Sequence, residues 1–270
     1  MQKKPGALPQ APLLMIPARM GARRLPGKPL ALIGGLPMIA QVMRRAIETG
    51  LGPVVIACAE NEIAEAVKKA GGEAVLTDPK LATGSDRIYA ALQTYDPGGK
   101  FDAIINVQGD VPTIDPAIIR KTFALLENPR VDIATAVAPV TDAGKKASPH
   151  IVKAVMEIKE GETSGRALDF TRSPARSGDG PVYGHIGLYA YRRAALETFV
   201  QSPQSAREKR ESLEQLRALD IGLRMEAVLV DSFPLGVDTP EDLEKAQKEL
   251  EARGKGQEAK NEGAKTKKWQ

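Results

Sequence analysis

Short aliphatic runs alternate with helical periodicities through the first half of this chain, and that alternation constrains the fold more than any other feature. Residues 13–16, 54–57, 74–76 and 103–107 are continuous apolar runs of strand length. Between them, 38–49, 63–70, 86–94 and 117–127 carry apolar residues at helical spacing. A strand that is apolar on both faces must be covered on both faces, so the pattern predicts βαβ units in an α/β fold, with a mostly parallel sheet flanked by helices. Gly71-Gly72 ends one helix with backbone freedom that other residues lack.

The second half differs. Residues 132–138, 151–158, 167–171 and 182–191 read as strands, and no full helix separates the first three. This predicts a strand-rich extension at about 131–200. A helix at 208–219, a strand at 225–230 and a last helix opening at Thr239-Pro240-Glu241-Asp242 follow. In that opening Thr suits the N-cap, Pro the first turn, and acids the positive end of the helix dipole. One domain over 1–252 is expected, then a disordered tail over 253–270. The tail holds six Lys/Arg and two Glu, a net of +4, which equals the +4 of the whole chain. The body is therefore neutral, which argues against a nucleic-acid partner.

Composition removes further classes. No apolar run reaches the ~18 residues a membrane helix needs, and the run at 13–16 is too short for a signal-peptide core, so a cytoplasmic protein is expected. The single cysteine, Cys58, allows no internal disulfide, and with only His150 and His185 no zinc cluster of cysteine or histidine can form.

Three segments carry chemistry. Ligands of open α/β sheets bind beyond the carboxyl ends of the strands. Beyond the first strand stands Pro17-Ala18-Arg19-Met20-Gly21-Ala22-Arg23-Arg24-Leu25-Pro26-Gly27-Lys28-Pro29. It is neither G-x-G-x-x-G nor a P-loop: five residues separate Gly21 from Gly27, and Pro29 replaces the hydroxyl residue. It reads either as a solvated basic loop or as a polyphosphate cradle of glycines and cations. Asn106-Val107-Gln108-Gly109-Asp110 places an aspartate after a buried strand, either in a simple turn or where Mg²⁺ on a nucleotide would be held. Gly236-Val237-Asp238-Thr239-Pro240 places another before the last helix, where helix-start electrostatics alone would also suit it. Together the three make a phosphate-plus-metal constellation.

PARMGARRLPGKPL, ATGSDR, NVQGDVP, HIGLYAY, LEQLR and GVDTPEDL, in this order over roughly 13–250, resemble the 3-deoxy-manno-octulosonate (Kdo) cytidylyltransferases. The resemblance implies a Rossmann-like sheet, the substrates CTP and Kdo, Mg²⁺, a product used for lipopolysaccharide, and a homodimer formed through the strand-rich part. It implies that Arg19 and Lys28, helped by Arg24, bind the CTP phosphates. Thr83, Gly84 and Arg87 would lie near the nucleotide, and Asp110 and Asp238 would hold Mg²⁺. Gln108, Arg172, His185, Tyr189, Glu214 and Gln215 would line the Kdo pocket. Taken without the resemblance, His185, Arg172, Glu214 and Gln215 read as ordinary structural or surface residues. Strand alternation does place His185 and Tyr189 on one face.

The chain departs from the family pattern at Ala57-Cys58-Ala59-Glu60, where a Thr-Asp pair is usual, at Val111, and after Arg172. A cytidylyltransferase for 8-amino-Kdo or sialic acid, and a non-catalytic nucleotide-binding protein, are the competing readings.

Overall fold

The computed structural model describes residues 8–22, 24–173 and 180–266, with side chains through Arg253. A nine-stranded sheet organises it, in the order β5-β4-β1-β6-β10-β7-β11-β9-β8. The strands are β1 (Pro12–Ala18), β4 (Val54–Cys58), β5 (Glu73–Leu76), β6 (Ala103–Asn106), β7 (Ile133–Pro139), β8 (Lys153–Glu157), β9 (Ser164–Thr171), β10 (Tyr183–Arg192) and β11 (Met225–Leu229). The small hairpin of β2 (Leu32–Ile33) and β3 (Leu36–Pro37) lies apart. The helices are α1 (Met38–Ile47), α2 (Asn61–Lys69), α3 (Gly84–Tyr95), α4 (Pro116–Ala124), α5 (Ala143–Ala147), α6 (Arg193–Gln201), α7 (Ala206–Glu211), α8 (Gln215–Asp220) and α9 (Pro240–Thr266).

The alternation produces the expected layers. In β1, Leu14 and Ile16 face α1, α2 and α4, while Leu13 and Met15 face α3 and α6. All four are fully buried, each contributing about 1.5–3 kcal/mol of apolar transfer free energy. This explains why the strand reads as one unbroken apolar run. A third, small core joins the β2–β3 hairpin to α9 through Ile33, Met38, Val237 and Ala246.

The sheet is mixed, which corrects the expectation of a mostly parallel one. β5, β4, β1 and β6 are parallel. β10 then runs antiparallel to both β6 and β7, and β11 is parallel to β7. β10 thus lies between β6 and β7 in the sense opposite to both, and in the same sense as β9, since β8 is antiparallel to each of them. The strand-rich segment thus builds the sheet itself: β10 and β7 are central, while β9 and β8 form one edge.

Two further differences concern helices. The helix expected at 208–219 is two, α7 and α8, because Ser212 takes a left-handed conformation (φ 53°) and ends α7. The last helix, α9, runs to Thr266, past the boundary expected at 252.

β10 carries a bulge: Ile186 pairs with Ala136, yet Tyr189 already pairs with Thr135. The buried Thr135 hydroxyl lies 2.7 Å from the Leu188 carbonyl, 3.2 Å from that of Ile186 and 3.0 Å from His185 Nε2. It thereby serves the polar groups that the bulge frees from the ladder.

Candidate active site

The carboxyl ends of β1 and β6 open into a cleft of about 400 Å³, a volume in the range of small-molecule sites. Arg19, Arg24, Lys28, Thr83, Asp110 and Asp238 are among its lining residues. The three segments singled out from sequence therefore meet in one place.

Lys28 is the centre of that meeting. Gly27, in a left-handed conformation (φ 69°), starts the helical turn that presents it. Lys28 Nζ donates to Asp110 Oδ2 (3.0 Å), to Asp238 Oδ1 (3.0 Å) and to the Val237 carbonyl (2.9 Å). All three ammonium protons are thus used. Burial alone would lower the pKa of Lys28, but the two carboxylates outweigh it and hold the group above the ordinary lysine value. Arg24 adds an ion pair to Asp238 Oδ2 (2.9 Å). The loops bearing the two aspartates are joined by the Val237 N–H donating to the Asp110 carbonyl (2.8 Å). Behind Asp110, a Cβ on Gly109 would stand 2.7 Å from the Pro17 carbonyl oxygen, so glycine is what lets β1 and this loop approach.

Around this cradle the roles divide. Arg19 is exposed at the cleft. Its loop is anchored by Glu60, whose Oε2 accepts the Met20 N–H (3.1 Å). That residue belongs to the segment departing from the family pattern, and no sequence signal marks it as an anchor. Cys58 is buried, and burial followed by the Glu60 charge pushes its thiol up to about 11, which removes it as a nucleophile.

Arg87 reaches the cleft but is almost wholly buried. Its guanidinium donates to Thr77 Oγ1 (2.6 Å) and the Asp78 carbonyl (3.2 Å). It braces the loop before α3 from within the cleft lining. Thr83 likewise commits its hydroxyl to the Asp86 N–H as the N-cap of α3. What this segment offers the cleft is the positive end of the α3 dipole, at Gly84.

Of the residues expected at the sugar, Gln108, His185, Tyr189 and Glu214 gather beside the first group as a second shelf. Gln108 lines the cleft, and a Cβ on Gly187 would lie 3.6 Å from its Cγ. His185 and Tyr189 share a face, with ring centroids 5.5 Å apart, in a ladder that runs from Phe170 to Tyr191 and Phe199. Burial pushes the His185 pKa down to about 3 and raises that of Tyr189 well above the usual phenol value. Both are neutral hydrogen-bonding groups near pH 7.

Glu214 and Gln215 open α8. Burial raises the Glu214 pKa, with the Thr83 hydroxyl and the Arg217 charge opposing that rise. Its Oε1 is buried without a hydrogen-bond partner, 3.6 Å from Arg217. Arg172 stands apart from the cleft lining and donates to the Pro149 carbonyl (3.1 Å); the segment that follows it, 174–179, lies outside the described residues. Sequence reasoning missed Thr135 and the Ser85, Asn106 and Tyr191 group beneath the shelf. These are buried polar groups, recognisable only once the strands are paired.

Among the described residues no group of three or more His, Cys, Asp or Glu is arranged to hold a metal ion. Two carboxylates already gathered on one cation suit a hard divalent ion that keeps phosphate and water among its ligands. The arrangement as a whole can neutralise a polyphosphate and hold a polyhydroxylated partner next to it.

Comparison with known proteins agrees. The family described as Cytidylyltransferase matches residues 13–226. The 3-deoxy-manno-octulosonate cytidylyltransferase of Paramagnetospirillum magneticum is 56% identical over 241 residues, covering 89% of this chain and 98% of its own length. That of Parvibaculum lavamentivorans is 57% identical over 242 residues, covering 90% and 93%. A solved CMP:2-keto-3-deoxy-manno-octonic acid synthetase complexed with CTP superposes with a TM-score of 0.81 at 34% identity, over 90% of this chain and 99% of that one.

Proposed function

This chain belongs to the 3-deoxy-manno-octulosonate cytidylyltransferase family, and we propose that its two shelves join CTP to Kdo in one in-line displacement. It is a nucleotidyltransferase, making CMP-Kdo and pyrophosphate for lipopolysaccharide biosynthesis. The observation that carries the site assignment is the Lys28 ammonium held between Asp110 and Asp238 at the mouth of a cationic cleft.

Arg19, Arg24 and Lys28 neutralise the triphosphate, and the end of α3 adds N–H donors. These cations stay beside the β- and γ-phosphates, where negative charge builds up as pyrophosphate leaves. Asp110 and Asp238 would hold the divalent metal, Mg²⁺ in our reading, which when bound supplies charge neutralisation and orientation of the triphosphate. Kdo lies on the second shelf, with Gln108, His185, Tyr189, Glu214 and Gln215 orienting its hydroxyls, and Arg172 toward its carboxylate side. Neutral His185 and Tyr189 offer hydrogen bonds without placing a like charge near the acid. The anomeric hydroxyl attacks the α-phosphorus, and no protein nucleophile takes part. Holding the two substrates in reacting geometry replaces an encounter in solution and is itself a large share of the catalysis.

No helix among the described residues is long and apolar enough to cross a membrane; we place the enzyme in the cytoplasm, where CTP is found. A homodimer is proposed through the β8–β9 edge, where Leu168 is 47% exposed. The test is pyrophosphate release from CTP and Mg²⁺ with Kdo, 8-amino-Kdo and N-acetylneuraminate in turn. Release with Kdo alone is expected. Release with another sugar instead would move the specificity of the second shelf, and no release with any would overturn the proposal.

A further inference from the structure

Lys153 is fully buried, at 0% exposure. It stands on β8, paired with Thr171 of β9 on one side and with Gly184 of β10 on the other. Its ammonium donates to the carbonyls of Ser148 and Arg172, the latter at 3.1 Å. Among the described residues its partners are carbonyls, with no carboxylate. Burial, and after it the nearby charge of Arg172, pull its pKa below the ordinary lysine value.

As a stabilising device this is a poor choice. An ammonium that meets carbonyls alone, as this one does among the described residues, carries a desolvation penalty that an apolar side chain of similar length would avoid. What the ammonium achieves is local geometry. It draws the carbonyl at the end of β9 and the turn at 148 to one point. Arg172 reinforces the link by donating to the Pro149 carbonyl from the other side. One residue before Lys153, the Val152 carbonyl accepts the His185 N–H (2.8 Å). The His185 ring meets Phe170 of β9 edge-on, at 4.8 Å between centroids. Lys153 therefore lies under the point where the strand ends bearing Arg172 and His185 come together.

We propose that Lys153 is a positioning residue for the acidic sugar, fixing the strand end that presents Arg172 beside His185. The proposal rests on the sugar-side reading given above. Lys153 does not touch the substrate; it acts through the two carbonyls it holds.

The experiment compares Lys153→Met, Lys153→Gln and Arg172→Ala with the unaltered enzyme, in steady-state kinetics with each substrate varied and in thermal melting. Lys153→Met is expected to keep or raise the melting temperature, because the buried charge is gone. It should raise the KM for Kdo roughly ten- to a hundredfold, the scale on which small misplacements are felt. The KM for CTP and the turnover at saturating Kdo should stay near those of the parent. Lys153→Gln, retaining one donor, should fall between, and it carries the test if the Met variant does not fold. An unchanged KM for Kdo in a folded Lys153 variant, with a raised one in Arg172→Ala, would overturn the positioning role alone. Unchanged values in both would overturn the sugar-side reading on which it rests. A rise in both KM values with a lowered melting temperature would show a merely structural residue and would also overturn it.

Discussion

Arg217→Met is the sharpest test of how the second shelf is held. Arg217 and Glu208 are 3% and 4% exposed, and they meet in a two-pronged pair with both N···O distances at 2.9 Å. The guanidinium also donates to the Phe199 (3.1 Å) and Ser202 (3.3 Å) carbonyls and lies 4.4 Å from the centre of the Phe199 ring. Methionine fills much of the space but leaves Glu208 buried with its charge unmatched. Breaking one side of such a pair costs about 3–5 kcal/mol. At about 2–4 °C per kcal/mol for a chain of this size, the melting temperature should fall by roughly 6–20 °C. Removing both partners should be far milder, because an apolar pair of similar volume is often neutral or better in such a site. Glu208→Leu with Arg217→Met should therefore recover most of the loss in a calorimetric melt. Freed from Arg217, Glu214 should orient Kdo less well in either variant and raise its KM. A loss below about 1 kcal/mol in the single variant, or a double variant as unstable as the single, would refute the uncompensated-charge reasoning.

Other outcomes follow from the same geometry. Asp110→Asn and Asp238→Asn should each lose at least about a hundredfold in turnover at saturating Mg²⁺ while melting like the parent; near-normal turnover would remove the two-carboxylate metal site. Lys28→Ala should raise the KM for CTP about tenfold or more and leave that for Kdo nearly unchanged, since the lost cation is worth at least one charge-assisted contact; the opposite split would put the loop on the sugar. His185 titrates near 3 when folded and near 6.5 when unfolded, so between those values the unfolded chain binds more protons. Its contribution to stability is therefore fully present above about pH 6.5 and is lost as the pH falls toward 3, and His185→Gln should melt with a weaker acid dependence than the parent over that window.

Much of this was legible in the sequence, and the rest was hidden for physical reasons. The runs in β1, β4 and β6 announce a doubly covered sheet because both faces must be apolar. The three loops that meet at the cleft were legible because glycine, cation and aspartate after a strand are local signals. The direction of β10 was not legible, since alternation is the same in parallel and antiparallel strands. The split between α7 and α8 hangs on one left-handed serine, Ser212, at a position whose residue type does not announce it. Arg87 and Thr83 do stand at the cleft, as their motif implies; only tertiary packing shows that they also brace the Thr77–Leu81 loop and cap α3. Arg172 was read from a motif, and its own partner is a carbonyl 23 residues earlier.

The cradle formed by Lys28, Asp110 and Asp238 has a consequence for how the enzyme comes into being. Its members lie 82 and 210 residues from Lys28 along the chain. Synthesis runs from the amino end, and domains begin to form as they emerge. β1, β4 and β6 can assemble while the third member is still unmade. Until the segment before α9 arrives, Lys28 has one carboxylate to rest on, and the β2–β3 hairpin lacks the apolar residues of α9 that cover it. The cradle is completed late, by a segment translated 210 residues after Lys28, so a chain that has not reached it leaves Lys28 short of one carboxylate and the hairpin uncovered.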